Sequence, residues 1–349
     1  MGCFLDRSGG REDMSSNASS TTGTFSDVEE IGLGRQLVQN FAIQDWIAFA
    51  FHIYLTTRIY LAPDSLESEM GRFWQSILFF MTATTIVLVR GRMIPAGWFR
   101  ALIYRVVMFG GVAGSYFGLK WVLPGLAPEL LDMELMQIDI AVLGFTPAVW
   151  MSKWNTYAVT EWLSFFYWSY FFILGLMTLP WLFLARGKML IELMLGATIV
   201  CCFGHSLYTL VPGVGPYAAI EFSEPLNGGV FLAMVMATVE SAGAVLDIFP
   251  SLHTAYPTFF ALWSFSNRKH RIVKWVWPIL AFFSLNIVVS TMFLRWHWAI
   301  DVVAGLMLST FAWRFSLYAA NFEMLKGLGG DTRQPVWEKL GLGEWATGR

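Results

Sequence analysis

Long apolar runs separated by short polar segments organise this chain. Eight of them cover about 42–62, 73–90, 101–122, 158–184, 189–211, 252–267, 272–293 and 299–319. A helix of roughly 20 apolar residues crosses a hydrocarbon core of about 30 Å. The pattern therefore predicts an all-α integral membrane protein with about eight transmembrane helices and no internal repeat. The sixth run is short and contains Pro257. Its 16 or so residues rise only ~24 Å, which sets its first residues slightly below the membrane surface, near the depth of a lipid phosphate.

Composition agrees with that class. Of 349 residues, 56% are hydrophobic and 14% charged. The 17 Trp gather towards run ends, as interfacial anchors do. A net charge of −2 excludes a nucleic-acid partner as the natural expectation. Cys3, Cys201 and Cys202 offer neither a disulfide framework nor metal-ligand spacing. Residues 1–30 are rich in Ser, Gly, Thr and acids and lack the apolar core of a signal peptide, so they read as disordered. Met1-Gly2-Cys3 resembles a lipidation start, but Asp6 stands where myristoylation wants Ser or Thr.

Charge then orients the helices. With a cytoplasmic N-terminus, the internal cytoplasmic loops hold Arg90, Arg92, Arg100, Arg186, Lys188, Arg268, Lys269, Arg271 and Lys274. The opposite loops hold only Arg72, Lys120, Lys153 and Arg295. Nine against four is a positive-inside bias. It puts both termini in the cytoplasm. It also puts His253, at the start of the sixth run, and His297, before the eighth, together on the extracytoplasmic face.

Two segments carry the candidate chemistry: Phe249-Pro250-Ser251-Leu252-His253-Thr254 and Arg295-Trp296-His297-Trp298-Ala299-Ile300-Asp301. Titratable groups at membrane helix ends are costly and point to function. His297 and Asp301 are four apart and share a helix face, so a carboxylate can hold an imidazole. Pro250 suits a first helical turn, and Ser251 with the free N–H groups beside it suits an anion. The eighth run offers a second helix start beside His297. Two histidines and two helix starts suit phosphoryl transfer, one imidazole attacking phosphorus and the other protonating the leaving oxygen. Imidazole titrates near neutrality, so no metal or other cofactor is needed. Asp247, six residues before His253, is the loop acid nearest the site in sequence, and Tyr217 follows the Gly-Pro turn at 212–217. His52 and His205 lie inside runs, where a polar residue more often bonds a neighbouring helix. Arg58 and Arg105 sit near run ends and can snorkel. The apolar stretch 228–248 suits a segment lying in the interface.

The pairing of Pro-Ser-x-His with a later His-x-x-x-Asp resembles the type 2 phosphatidic acid phosphatase (PAP2) superfamily. Within it the chain is most similar to the inositol phosphorylceramide synthase-like branch, related to sphingomyelin synthases. Pro212-Gly213-Val214-Gly215-Pro216-Tyr217 and the segment from Glu161-Trp162 to Tyr167, Ser169 and Tyr170 add to the likeness, which spans about 100–320. The resemblance implies a six-helix catalytic core at 101–320. It would be preceded by a tail at 1–40 and transmembrane helices with a loop at 41–100, and followed by a cytoplasmic tail at 321–349. It implies His297 as nucleophile, Asp301 as its orienting carboxylate, and His253 as general acid and then base. Ser251 and Arg295 are implied phosphate contacts; Tyr217 and Asp247 are further candidates for substrate binding.

Departures from the phosphatase pattern refine the expectation. Those enzymes carry a Lys-x6-Arg-Pro motif, whereas loop 212–250 has no Lys or Arg. Their Ser-Arg pair before the second histidine is Ser290-Thr291 here. A phosphomonoester dianion needs such a basic clamp more than a diester monoanion does. The expected partners are a phospholipid donor and a lipid alcohol acceptor such as ceramide, with phosphoinositol as the group moved. A phosphatase using water is the alternative. A proton-coupled transporter fits poorly, because the titratable groups gather at one face and no repeat is visible. The sequence carries no signal of oligomeric state.

Overall fold

A computed structural model describes residues 33–63, 66–126, 129–242, 246–328, 334–341 and 345–346. The N-terminal 1–30 segment and the Met1-Gly2-Cys3 motif lie outside the described residues. The helices are α1 (Leu33–Asn40), α2 (Ile43–Tyr60), α3 (Leu66–Arg90), α4 (Trp98–Leu126), α5 (Asp132–Leu143), α6 (Pro147–Met151), α7 (Tyr157–Leu184), α8 (Lys188–Tyr208), α9 (Pro216–Ala219), α10 (Val230–Ala242), α11 (Leu252–Ser266), α12 (Val273–Phe293) and α13 (Ala299–Leu328). All eight expected runs are helices. Six are long and apolar enough to cross a membrane by themselves: α3, α4, α7, α8, α12 and α13. α2, with buried Gln44, Asp45 and His52, and the 15-residue α11 complete the bundle through packing.

α11 occupies the centre, against α7, α8, α12 and α13. Ala255, Phe259, Phe260 and Trp263 are fully buried there. Lipid gives apolar side chains no reason to leave it, so close backbone approach must hold such a bundle. Two glycines permit it. A Cβ on Gly196 of α8 would overlap the Phe259 ring, and one on Gly305 of α13 would sit 2.5 Å from the Ser251 carbonyl oxygen.

Four features differ from the sequence expectation. Residues 33–40, assigned to the tail, form α1, and the Asn40 amide donates to the Arg90 carbonyl at 2.8 Å. The loop after α4 folds into α5 and α6, bent by 70° with the one-turn segment that follows. α5 contacts the start of α13 and α6 packs near the end of α12, at the histidine end of the bundle. The pair begins and ends on that side of the bundle. α13 runs on to Leu328, past the expected boundary at 320. Finally, residues 334–340 fold back beneath the bundle as a strap. Arg90, in a buried ion pair with Asp45 at 2.6 Å, donates to the Pro335 and Val336 carbonyls. Arg100 pairs with Glu338 at 2.7 Å. Arg105 does not snorkel: it is buried and donates to the carbonyls of Leu182, Ala185 and Glu338. Residues Ala185–Arg186 (β1) and Trp345–Ala346 (β2) pair in parallel.

Candidate active site

α11 starts where its sequence places a cap. Ser251 is the N-cap, and its hydroxyl accepts from the Thr254 N–H at 3.2 Å. Pro250 therefore precedes the cap instead of filling the first turn. The Ser251 N–H donates to the Asp301 carbonyl at 3.0 Å, so the starts of α11 and α13 are tied together. This bond and the Gly305 contact bring the two histidines to one place, their ring centroids 6.4 Å apart.

His297 Nδ1 lies 3.4 Å from Asp301 Oδ2 across the i,i+4 step. That separation is long for a hydrogen bond and typical of a pair that tightens when the ring is charged. The same Oδ2 accepts from the Trp298 N–H at 2.9 Å, so Asp301 both caps α13 and faces His297. With Nδ1 turned to the carboxylate, Nε2 is the nitrogen left for chemistry. His253 stands between two tyrosines, stacked on Tyr167 at 4.2 Å and on Tyr170 at 4.0 Å, with the Phe171 edge at 5.9 Å. The fourth-run residues that carried the family likeness thus hold the second imidazole. Attack needs about 3–3.5 Å to phosphorus, and proton delivery a hydrogen bond of about 2.6–3.2 Å. Together these match the scale of the gap between the rings.

Both imidazoles line a cavity of about 400 Å³. Its walls are aromatic, with Tyr116, Tyr167, Tyr170, Tyr208 and Tyr256, and no Lys or Arg lines it among the described residues. Phe117 and Phe171, both exposed, line its side between α4 and α7, which do not pack as a pair. Asp247 lines the cavity and is hydrogen-bonded to Tyr116. Burial pushes its carboxyl up to about 6 from an ordinary 3.8, against the opposing effects of the Tyr116 bond and His297. His205 also lines the cavity while bonding Ser115 at 2.8 Å, so its helix-bridging role and its place at the site coexist. His52 is bridged to Gln75 at 3.1 Å, away from the cavity.

The remaining sequence candidates lie around this centre. The Ser251 hydroxyl is buried and engaged in the cap. Arg295, at φ 70°, turns its guanidinium to the Glu224 carbonyl at 3.1 Å and over the Phe222 ring at 3.8 Å. Among the cavity walls it does not figure. Tyr217 stacks on Trp296 at 4.7 Å, and its N–H donates to the Arg295 carbonyl. Glu161 caps α10, accepting from the N–H groups of Gly229, Phe231 and Leu232.

Sequence reasoning missed two carboxylates on α5. Asp132 accepts from the Val214 and Gly215 N–H groups, each at 2.8 Å, and from the Trp298 indole at 2.9 Å. Asp139 accepts from the Ala299 and Ile300 N–H groups at 2.7 and 2.9 Å. The start of α13 is thereby filled by protein carboxylates, which corrects the expectation that it would hold phosphate. The Leu252 and His253 N–H groups at the start of α11 have no protein acceptor among the described residues, so α11 keeps that capacity. The overlooked signal was two acids seven apart in an apolar stretch, which places them on one helical face.

No curated protein and no solved structure matches the chain. A family model does match, over residues 133–315, which is 183 of the 349 residues and runs from α5 into α13 through both histidine segments. The enzymes of that family are phosphatases and phosphotransferases. The chain belongs to the PAP2 superfamily.

Proposed function

We propose that this protein is a membrane lipid phosphotransferase that moves a phosphorylated head group, phosphoinositol by the sequence likeness, from a glycerophospholipid to a lipid alcohol such as ceramide. The observation that carries the reading is a His253–His297–Asp301 trio on an aromatic cavity whose described walls hold no Lys or Arg. Such a wall suits a diester monoanion better than a monoester dianion. Phe117 and Phe171, which are exposed and line the cavity, support a lateral way in for lipids.

His297 Nε2 attacks phosphorus, and the bond to the diacylglycerol oxygen breaks as His253 donates its proton to that oxygen. His297 then carries the head-group phosphate through a P–N bond, its positive charge facing Asp301. His253, now neutral, takes the proton of the acceptor hydroxyl, whose oxygen attacks phosphorus and releases His297. A role for Asp247 and Tyr116 in binding hydroxyls of a polyol head group is supported by their position on the cavity wall. In the proposed orientation both termini are cytoplasmic and the cavity opens on the extracytoplasmic side; the positive-inside charge distribution supports it.

The test is incubation of purified protein with head-group-labelled phosphatidylinositol, with and without ceramide, in buffer containing a chelator. A labelled sphingolipid that needs ceramide and vanishes in His297→Ala is the expected product. Free inositol phosphate irrespective of ceramide would make the enzyme a hydrolase. No product in either arm would remove phosphatidylinositol as the donor.

A further inference from the structure

We infer that the catalytic cavity takes one hydrocarbon chain of its lipid down the axis of the bundle, and that Trp337 of the C-terminal strap is the floor limiting the length of that chain. The inference rests on the proposed lipid chemistry for its substrate, though not for its geometry. A second, narrow cavity of about 50 Å³ lies beneath the first. Both share Phe109, Ala113, Leu174, Cys201 and Tyr256 as walls, so the two adjoin. The lower one descends past Met108, Met194 and Ala197 to Trp337.

Its length fits a lipid tail. From Phe117 to Met108 along α4 the passage runs ~14 Å, and from Tyr208 to Met194 along α8 ~21 Å. One leaflet of a bilayer core is about 15 Å deep. A chain whose phosphate sits at the histidines therefore reaches the floor. The neck is tight, but Met108 and Met194 line it, and unbranched methionines change shape readily.

The floor is built rigidly. Trp337 is buried, edge-on to Tyr104 at 5.2 Å, and its indole N–H has no hydrogen-bond partner among the described residues. Arg90, Arg100 and Arg105 hold the strap on both sides of it. A tail leaving lipid for an apolar passage gains little by transfer, since both are hydrocarbon-like. Selection between tails must come from fit against a fixed wall. The rival place for a tail is the apolar groove of about 670 Å³ between α7, α11 and α12, lined by Trp168, Phe172 and Ile279.

Two measurements decide. In nanodiscs, phosphatidylinositol with a diazirine at the end of a palmitoyl chain is photolysed and the labelled residues are mapped. Labels on Met108, Met194 or Trp337 are expected. Labels confined to Trp168, Phe172 and Ile279, or to other outward-facing residues, would overturn the inference. This readout needs no turnover, so it stands even if the proposed transfer fails. The second measurement compares kcat/KM for decanoyl, palmitoyl and behenoyl phosphatidylinositol. Trp337→Ala raises the behenoyl-to-palmitoyl ratio about tenfold, the lower range for a misfit of one methylene. Ala197→Leu, which narrows the passage and leaves the strap intact, lowers the palmitoyl-to-decanoyl ratio. Unchanged ratios in a folded Ala197→Leu protein would overturn it too.

Discussion

Asp301→Asn isolates the charge in the trio. The side chain is fully buried, and its Oδ2 serves both the Trp298 N–H at 2.9 Å and His297 Nδ1 at 3.4 Å. Asparagine keeps the volume and an acceptor oxygen for the cap, so only the negative charge is lost. A carboxylate 3.4 Å from an imidazolium is worth about 5 kcal/mol at an effective dielectric of about 20. In the proposed transfer that charge develops on His297 as the P–N bond forms, so the loss falls on the barrier. At about 1.4 kcal/mol per decade, kcat falls about 10³–10⁴-fold. Stability should change by no more than about 1 kcal/mol, because an amide caps nearly as well as a carboxylate. The assay is single-turnover transfer from labelled phosphatidylinositol, with tryptophan-monitored melting as the folding control. A folded Asp301→Asn enzyme within about tenfold of wild type would refute the reasoning, since loss of the ion pair predicts a fall of about 10³-fold or more.

Asp139→Ala leaves the Ala299 and Ile300 N–H groups without acceptors. At about 1–3 kcal/mol for each buried donor, melting should drop clearly and His297 should lose alignment; Asp139→Asn should recover much of both, read by melting and kcat. Asp247 predicts an acid limb in the activity profile: with its carboxyl at about 6, head-group binding through the ionised form weakens as pH falls through that value. KM should rise below it, and Asp247→Asn should flatten the limb. The linked stability has the opposite sign, because a raised acid pKa means the native state holds the proton between about 4 and 6 while the unfolded chain has released it. Stability therefore falls as pH climbs through that window, and Asp247→Asn should remove the slope in melting curves taken from pH 4 to 7.

Much of the fold was legible because the membrane simplifies the code. Hydropathy alone places all eight long helices, since a span must be apolar over a fixed length. The shortest of them, α11, was legible as a run of about 16 residues containing Pro257. The bent α5–α6 pair was not, because twelve mixed residues at an end face have no period that separates a loop from a half-buried helix. The strap was equally hidden: Arg90, Arg100 and Arg105 read as charge at helix ends, and only the returning chain turns them into its anchors.

The site divides along the same line. His297 and Asp301 were named as a pair by their spacing, although His297 lies two residues before the first residue of α13 and the pair meets across the start of that helix. Their union with His253 depended on long-range contacts: the Ser251–Asp301 backbone bond and the missing side chain at Gly305. The fate of the helix starts also needed the fold. A free N-terminus invites an anion whatever its source, and at α13 the anions are Asp139 and Asp301. Sequence, then, named the candidate reactive groups and the medium they lie in. Tertiary structure decided which of their neighbours were already satisfied, because hydrogen bonds between segments 160 residues apart leave no mark on local pattern.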